Sequence, residues 1–151
     1  MKSVFSISEP PLLKVTGRNY WYPVRRIFCV GRNYIEHVIE LGNAVEKKQP
    51  FYFTKSSFSL LSSKKDLTYP PMTNDLHHEI ELVVAIAKPL QKATREDLKG
   101  SIFGYACGLD MTRRDLQNSA KKQGKPWDMS KDFDDSAIIG EITEAKEVPE
   151  I

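Results

Sequence analysis

Alternating apolar and polar positions recur along this chain and predict short β-strands joined by a few short helices. Residues 25–30, 51–55 and 102–109 have the apolar content and the alternation of strands, and 59–61 is a shorter candidate. Small residues occupy alternate positions at 104, 106 and 108, so another backbone or a ligand can approach that face closely. Strands outnumber helices, and the fold class is therefore predicted to be mixed α/β, mainly β.

The strand predicted around residues 77–86 carries two carboxylates at alternate positions. Side chains at i and i+2 of a strand point to the same face, so Glu79 and Glu81 project together while Ile80 and Leu82 face the other way. The run 83–87 is apolar on both faces, which is typical of an interior strand. We therefore expect the two carboxylates at the entrance to a core.

Two helices have recognisable start and stop signals. Asn33 with Glu36 resembles a capping box, and that helix is expected to stop at residues 42–43. Thr112 is expected to cap a polar helix over 113–123 that closes at Gly124, and Thr94 with Asp97 caps a single turn. Residues 1–23 lack a sustained period and are expected to form an irregular lead-in or edge segment, followed by one domain over 24–151.

Composition narrows the class of protein. With 151 residues, 40% hydrophobic content and 28% charged content, the chain is long enough for one domain with a real core. The net charge of +2 comes without a basic stripe, so no nucleic-acid partner is expected. No apolar run approaches a membrane span, and no signal peptide is visible, which favours a cytoplasmic location. Cys29 and Cys107 are expected to be buried thiols, not a disulfide.

Three carboxylates could share one cation. Asp110 follows an apolar strand, whereas Glu79 and Glu81 open one, so antiparallel neighbours would bring all three to one rim. Hard oxygen donors suit Mg²⁺ or Mn²⁺. The alternative is a solvated Glu-x-Glu face and an aspartate that only forms a turn.

Histidine and lysine residues could supply acid–base chemistry. His37 and Glu40 lie three positions apart on one helix face, the arrangement of a carboxylate-oriented general base, although an exposed pair without function is the common alternative. Adjacent strand residues point to opposite faces, so at most one of His77 and His78 could join the carboxylates. Both are expected to pack against other side chains or to support the carboxylates from outside the ligand set. Lys131, judged only from its sequence surroundings, is expected to be a surface lysine in a loop.

The ordered motifs together resemble the fumarylacetoacetate hydrolase family, and within it the small acylpyruvase-like and 2-hydroxyhepta-2,4-diene-1,7-dioate isomerase-like branch. The resemblance runs from about residue 25 to about 136. It rests on Cys29-Val-Gly-Arg-Asn-Tyr-x-x-His37-x-x-Glu40, Leu76-His-His-Glu79-x-Glu81, Gly-Leu-Asp110-Met-Thr-x-Arg114-Asp115-x-Gln117 and Lys131-x-Phe133-Asp134.

The resemblance implies a β-roll with short peripheral helices, usually in a homodimer, with Mg²⁺ or Mn²⁺ at its rim. By position, Glu79, Glu81 and Asp110 correspond to the metal ligands. The water-activating dyad corresponds to His37 and Glu40. Lys131 corresponds to the lysine that contacts the bound keto acid, and Gln117 to a residue near the substrate.

The implied reaction is hydrolysis of a C–C bond in a 2,4-dioxo acid, an acylpyruvate such as acetylpyruvate or fumarylpyruvate, with release of pyruvate. Arg32 could pair with a second carboxylate of the substrate, or be a solvated arginine. Decarboxylation of oxaloacetate and isomerisation of a dioxo acid are alternatives that use the same metal-enolate chemistry.

Two departures from the family pattern matter. The family's Phe-x-Lys-Pro stretch is Phe53-Thr54-Lys55-Ser56 here, and the sequence ends where relatives continue through roughly another third, including a Thr-Gly-Thr-Pro loop. The β-roll is therefore expected to be incomplete at its C-terminus. An enzyme that needs a separate C-terminal fragment, an inactive truncated remnant and a plain interaction domain are the three classes to distinguish.

Overall fold

The computed structural model of the protein describes residues 3–6, 8–31, 33, 50–98 and 100–149. Strands carry most of the regular structure in these ranges, as the alternation predicted, and the helices are short. The strands are β1 (Leu12–Lys14), β2 (Trp21–Pro23), β3 (Ile27–Gly31), β4 (Phe51–Lys55), β5 (Leu60–Ser62), β6 (Leu76–Ile86), β7 (Ile102–Arg113), β8 (Ala137–Ile139) and β9 (Thr143–Glu144). The helices are α1 (Arg95–Leu98), α2 (Arg114–Gln123) and α3 (Asp128–Lys131), with 3₁₀ turns at Ser57–Ser59 and Ala145–Glu147.

The largest sheet is built around the long antiparallel ladder of β6 and β7. Its strand order is β5-β8-β7-β6, and β9 pairs with β7 beside β8. β5 and β8 are parallel, whereas the other neighbours in this sheet are antiparallel. β1 with β2 and β3 with β4 form two further antiparallel pairs. The β6–β7 ladder is therefore the frame on which the other elements are placed.

One face of the β6–β7 ladder is buried and the other is open. The register places Ala85 directly opposite Gly104, and directly paired residues share a face of the sheet. Both residues are buried. On the other face of β6, Ile80 is 71% exposed and Leu82 is 54% exposed. The buried core beneath the covered face consists of Leu13, Val24, Ala85, Ala106, Ile139 and Ile142.

The glycine-rich face of β7 does allow close backbone approach, as its sequence predicted. A Cβ added at Gly104 would lie 2.2 Å from the carbonyl oxygen of Thr143, which is closer than any real contact. Gly104 pairs in register with Glu144 of β9. The absence of a side chain at this position therefore lets β9 lie against β7.

Three predictions about local structure are corrected. Residues 1–23 contain β1 and β2, held by antiparallel pairing, where an irregular segment was expected. The boundary at residue 24 stays a prediction. β7 continues to Arg113, so Asp110 lies inside the strand and Thr112 is not a helix cap. The strand continues because Leu76 of β6 still pairs with Arg113.

The prediction that residues 83–87 form an interior strand is also wrong within the described residues. Val84 and Ile86 are 43% and 44% exposed, because nothing described here covers that face of β6. Cys107 is exposed on β7, contrary to the expected burial, and Cys29 is half-buried. Both thiols are free, as predicted.

Two of the predicted helix boundaries that fall on described residues are confirmed. α2 closes at Gly124, whose φ of 61° is left-handed, and Thr94 and Asp97 cap α1 through reciprocal hydrogen bonds. The helix predicted from Asn33 onward lies outside the described residues apart from Asn33 itself. Among the described helices, none is long and apolar enough to cross a membrane.

Candidate active site

Glu79 and Asp110 are direct neighbours across the β6–β7 ladder. The register pairs them, and pairs Glu81 with Gly108 one step further along the same face. Directly opposed residues of an antiparallel pair have Cβ atoms about 5 Å apart. Asp110 is buried and both glutamates are half-buried. The three carboxylates predicted as a group therefore lie on one face of two adjacent strands.

Lys131 joins the two opposed carboxylates. Its Nζ lies 2.9 Å from Glu79 Oε2 and 2.7 Å from Asp110 Oδ2, and it donates to Thr112 Oγ1 at 2.7 Å. The residue ends the short helix α3 and is 2% exposed, with Nζ 5.0 Å from the centre of the Phe53 ring. Lys131 is thus a buried part of the carboxylate cluster and not a surface lysine of a loop.

A second buried lysine meets the other side of the same aspartate. Nζ of Lys55, at the end of β4, lies 2.9 Å from Asp110 Oδ1. It also donates to the backbone carbonyl oxygen of Met111 at 3.2 Å and to that of Lys131. Each oxygen of the Asp110 carboxylate therefore faces its own ammonium group.

Arginine completes the set of cations around Glu79. Arg114, the first residue of α2, forms an ion pair with Glu79 Oε1 and donates to Gln117 Oε1 at 2.6 Å. Gln117 is buried and lies one helical turn further along α2. The helix thereby brings Gln117, predicted to lie near the substrate, next to the carboxylate cluster.

Charge and burial oppose each other in setting the protonation of these groups. Burial raises the pKa of Glu79, but the charges and hydrogen bonds of Lys131 and Arg114 outweigh it and hold that pKa below its usual range. Burial lowers the pKa of Lys55 against the pull of Asp110. Burial, with the charge of Asp110, raises the pKa of the nearby Cys29 thiol to about 12. Cys29 is therefore a neutral neighbour of the cluster.

The donor chemistry of the cluster fits a hard divalent cation. Oδ1 of Asp110 is buried, and none of the described donors is aligned on it for a hydrogen bond. The ion pair with Lys55 leaves this oxygen a lone pair to offer. Among the described residues, however, no three His, Cys, Asp or Glu side chains are already gathered closely enough to hold a metal ion. Glu79 and Asp110 are instead held by lysine and arginine.

Other residues singled out by sequence fall outside this cluster or outside the described ranges. His37, Glu40 and Arg32 lie outside the described residues. His77 is exposed and lies 2.8 Å from Asp75, and His78 is exposed as well, so neither is a packing residue.

The sequence did not predict a place in the site for Lys55, Arg114 or Thr112. The signal that could have found the first two was their place inside the family-like motifs, Phe53-Thr54-Lys55 and Thr-x-Arg114. Thr112 was interpreted as a helix cap, although its position two residues after Asp110 on a continued strand puts it on the same face.

The Fumarylacetoacetate (FAA) hydrolase C-terminal family model matches residues 26–151. Oxaloacetate tautomerase fahd-1, a mitochondrial protein of Caenorhabditis elegans, is 43% identical over 124 residues, which cover 82% of this chain and 58% of that protein. Fumarylpyruvate hydrolase of Ralstonia is 46% identical over 104 residues, covering 68% of this chain and 54% of that protein. The chain thus spans little more than half the length of these relatives.

A crystal structure with the same fold contains both a metal and a keto acid. The structure of fumarylpyruvate hydrolase from Pseudomonas aeruginosa in complex with Mn²⁺ and pyruvate superposes with a TM-score of 0.93 at 40% sequence identity. The match covers 98% of this chain and 65% of that one. The described strands and helices therefore reproduce the corresponding part of that fold.

Proposed function

Because the chain belongs to the fumarylacetoacetate hydrolase family, we propose that it hydrolyses a C–C bond in a 2,4-dioxo acid and releases pyruvate. Acylpyruvates such as acetylpyruvate and fumarylpyruvate are the proposed substrates. One observation carries the proposal: Lys131 binds both Glu79 and Asp110 on a framework that superposes on a fumarylpyruvate hydrolase with Mn²⁺ and pyruvate.

Glu79, Glu81 and Asp110 would hold the cation, Mg²⁺ or Mn²⁺. Carboxylate oxygens are the ligands these ions prefer, and Asp110 Oδ1 has a lone pair to offer. When bound, the ion supplies Lewis-acid polarisation to the carboxylate and 2-keto oxygens of the substrate.

Lys131 would place positive charge where negative charge grows on the keto acid during C–C cleavage. A buried ammonium is effective in this role because little water screens it. Arg114 holds Glu79 by an ion pair, which leaves the glutamate fixed relative to α2. Gln117 and Arg32 are proposed to bind the substrate, and Arg32 would select a second carboxylate such as that of fumarylpyruvate.

His37 and Glu40 are proposed to activate the water. His37, oriented by Glu40, takes a proton from a water molecule as its oxygen attacks the distal carbonyl carbon. The bond between that carbon and C3 of the pyruvate unit then breaks, and its electron pair goes to C3. A proton returned to C3 gives pyruvate, and the distal acyl group leaves as a carboxylic acid. One water is consumed for each substrate.

A second candidate is keto–enol tautomerisation of oxaloacetate. It is favoured by the relatives named oxaloacetate tautomerase, 43% identical in Caenorhabditis elegans and 40% identical in Escherichia coli. This reaction moves one proton between C3 and the 2-keto oxygen and consumes no water. Decarboxylation of oxaloacetate is a third use of the same groups.

The assay compares three substrates on the full 151-residue chain with Mn²⁺. Loss of the dioxo-acid enol absorbance, with stoichiometric pyruvate measured by lactate dehydrogenase, is expected for acetylpyruvate or fumarylpyruvate. Enol decay of oxaloacetate without carbon dioxide or pyruvate would assign the tautomerase instead. Binding of Mn²⁺ without turnover of any substrate would mean that this chain alone is not the enzyme, and Glu81→Gln is the inactive control.

Assembly and location are proposals of the same kind. We propose a homodimer, as the family resemblance implies, with no nucleic-acid or membrane partner. The proposed location is the cytoplasm, although the Caenorhabditis elegans relative is named as mitochondrial.

A further inference from the structure

Lys55 is a buried charged residue that the proposed reaction does not use. It lies at the end of β4, and 3% of its surface is exposed. Its ammonium group has three hydrogens and meets three oxygens: Asp110 Oδ1 at 2.9 Å, the Met111 carbonyl at 3.2 Å and the Lys131 carbonyl. The ammonium therefore donates two hydrogen bonds to backbone carbonyls and forms an ion pair with Asp110.

These contacts make Lys55 a part of the framework around the site. The side chain of Lys55 is 1% exposed, and its Nζ lies 5.6 Å from the centre of the Phe133 ring. Lys131 donates to side chains, whereas both hydrogen bonds of the Lys55 ammonium go to backbone carbonyl oxygens, so Lys55 is tied to the backbone of the site. We expect any effect of Lys55 on the reaction to act through the residues that it contacts.

The three contacts join the elements that carry the functional groups. Asp110 and Met111 belong to β7, Lys131 ends α3, and Lys55 ends β4. The ammonium holds one oxygen of the Asp110 side chain, while the Lys131 side chain holds the other oxygen at 2.7 Å. A single side chain thus fixes both the rotation of the carboxylate and the backbone that presents Lys131.

We propose that Lys55 is a positioning residue that sets the orientation of Asp110 as a metal ligand and the placement of Lys131 beside it. This inference rests on the proposed metal-dependent function and adds to it a residue outside the ligand set. It also accounts for the lysine that ends the Phe53-Thr54-Lys55 motif.

Charge and orientation make opposite predictions when Lys55 is replaced. A positive charge 2.9 Å from a ligand oxygen repels a divalent cation, so removal of the charge alone would tighten Mn²⁺ binding. Loss of orientation would weaken it, since residues that hold metal ligands typically contribute about 10–100-fold to affinity. The sign of the change therefore separates a positioning role from a purely electrostatic one.

The experiment measures Mn²⁺ affinity by electron paramagnetic resonance on the full chain, at a temperature below every unfolding midpoint. Lys55→Met is expected to bind Mn²⁺ about 10–100-fold more weakly than the wild type. Lys64→Met is the control, because Lys64 is exposed and pairs with Glu141 away from the cluster, and its affinity should be unchanged. Equal or tighter binding by Lys55→Met overturns the proposal.

Lys55→Arg keeps the positive charge and decides the matter if Lys55→Met does not fold. A planar guanidinium cannot place one nitrogen among three oxygens, so weaker Mn²⁺ binding and an altered spectrum of the bound ion are expected. Wild-type affinity in Lys55→Arg overturns the positioning role. A wild-type chain that folds but binds no Mn²⁺ refutes the proposed metal function instead, because that failure appears before any substitution.

Discussion

The ammonium nitrogen of Lys131 lies 2.7 Å from Oδ2 of Asp110, although the two residues are 21 positions apart in the chain. Both side chains are almost completely buried, at 2% and 5% exposure. Removal of one partner from a buried ion pair is strongly destabilising, and without Lys131 the Asp110 carboxylate would keep Lys55 as its one ammonium partner among the described residues. The contact should therefore be visible in stability as well as in activity.

Replacement of Lys131 by methionine is expected to lower the free energy of unfolding by about 3–5 kcal/mol, because Asp110 and Glu79 both lose this partner. Urea unfolding followed by circular dichroism measures the change. Lys122→Met, at an exposed position of α2, should have almost no effect. Equal stability of the two variants would show that the buried ion pair contributes little.

Glu81→Gln should separate metal binding from folding. Mn²⁺ with oxalate, at about 100 times the dissociation constant, is expected to raise the wild-type melting temperature by roughly 5–10 °C through mass action. The variant should melt cooperatively but lose this increase, because the amide is a much weaker ligand than the carboxylate. Glu96→Gln, on the exposed helix α1, is the matched control and should keep the full increase. An unchanged increase in Glu81→Gln would exclude this residue as a ligand.

Stability should fall in acid through Glu144. Hydrogen bonds from Arg18, Lys146 and Tyr20 lower the pKa of Glu144 from 4.5 to about 2. A carboxylate with a lowered pKa in the folded state stabilises the protein above pH 4.5 and loses that contribution as the pH falls toward 2. Unfolding by urea at pH 7, 4 and 2.5 measures the loss.

Two variants test this assignment to Glu144. Glu144→Gln should be less stable at neutral pH and should show a smaller loss between pH 4.5 and 2. Arg18→Met should reduce the same dependence, since Arg18 is the largest cause of the lowered pKa. A wild-type loss of stability in both variants would assign the acid sensitivity to other groups.

His37→Asn is expected to distinguish hydrolysis from tautomerisation. If His37 activates water, hydrolysis of acylpyruvates should slow by about 10²–10⁴-fold, while Mn²⁺ and oxalate still raise the melting temperature. Enolisation of oxaloacetate needs no attacking water. Parallel measurement of both rates checks the assignment, and an equal loss of both would mean that His37 serves proton transfer to carbon.

Gly104→Ala should destabilise the protein by about 1–3 kcal/mol, because the new methyl group would meet the backbone carbonyl of Thr143. Gly108→Ala is the matched comparison on the same face of β7. Its nearest neighbour is a methyl group of Val83 at 2.7 Å, which can move at a smaller cost than backbone. Thermal melts of the two variants give the order, and a larger effect at Gly108 would contradict this account.

Local periodicity was sufficient to predict the side of the sheet on which the carboxylates lie. Alternation in β6 puts Glu79 and Glu81 on one face, and the expected antiparallel neighbour brings Asp110 opposite Glu79. The αL end of α2 at Gly124 was predictable for the same reason, since the conformation is encoded by the residue itself.

The burial of the lysines could not be predicted from periodicity. Lys55 and Lys131 resemble surface residues in sequence, because what buries them is contact with strands that are distant along the chain. The length of β7 was underestimated for a related reason. Its last residues are held by pairing with the first residues of β6, and such pairing is a long-range property.

Side-chain alternation makes β6 sensitive to its length. Ile80 separates Glu79 from Glu81 and faces the open side of the sheet. Substitution at Ile80 changes one position on that side, whereas inserting or deleting one residue there would send the two carboxylates to opposite faces. The composition of this strand can therefore vary more freely than its number of residues. An insertion or deletion of odd length between the glutamates would separate Glu79 from Glu81 in a single mutation.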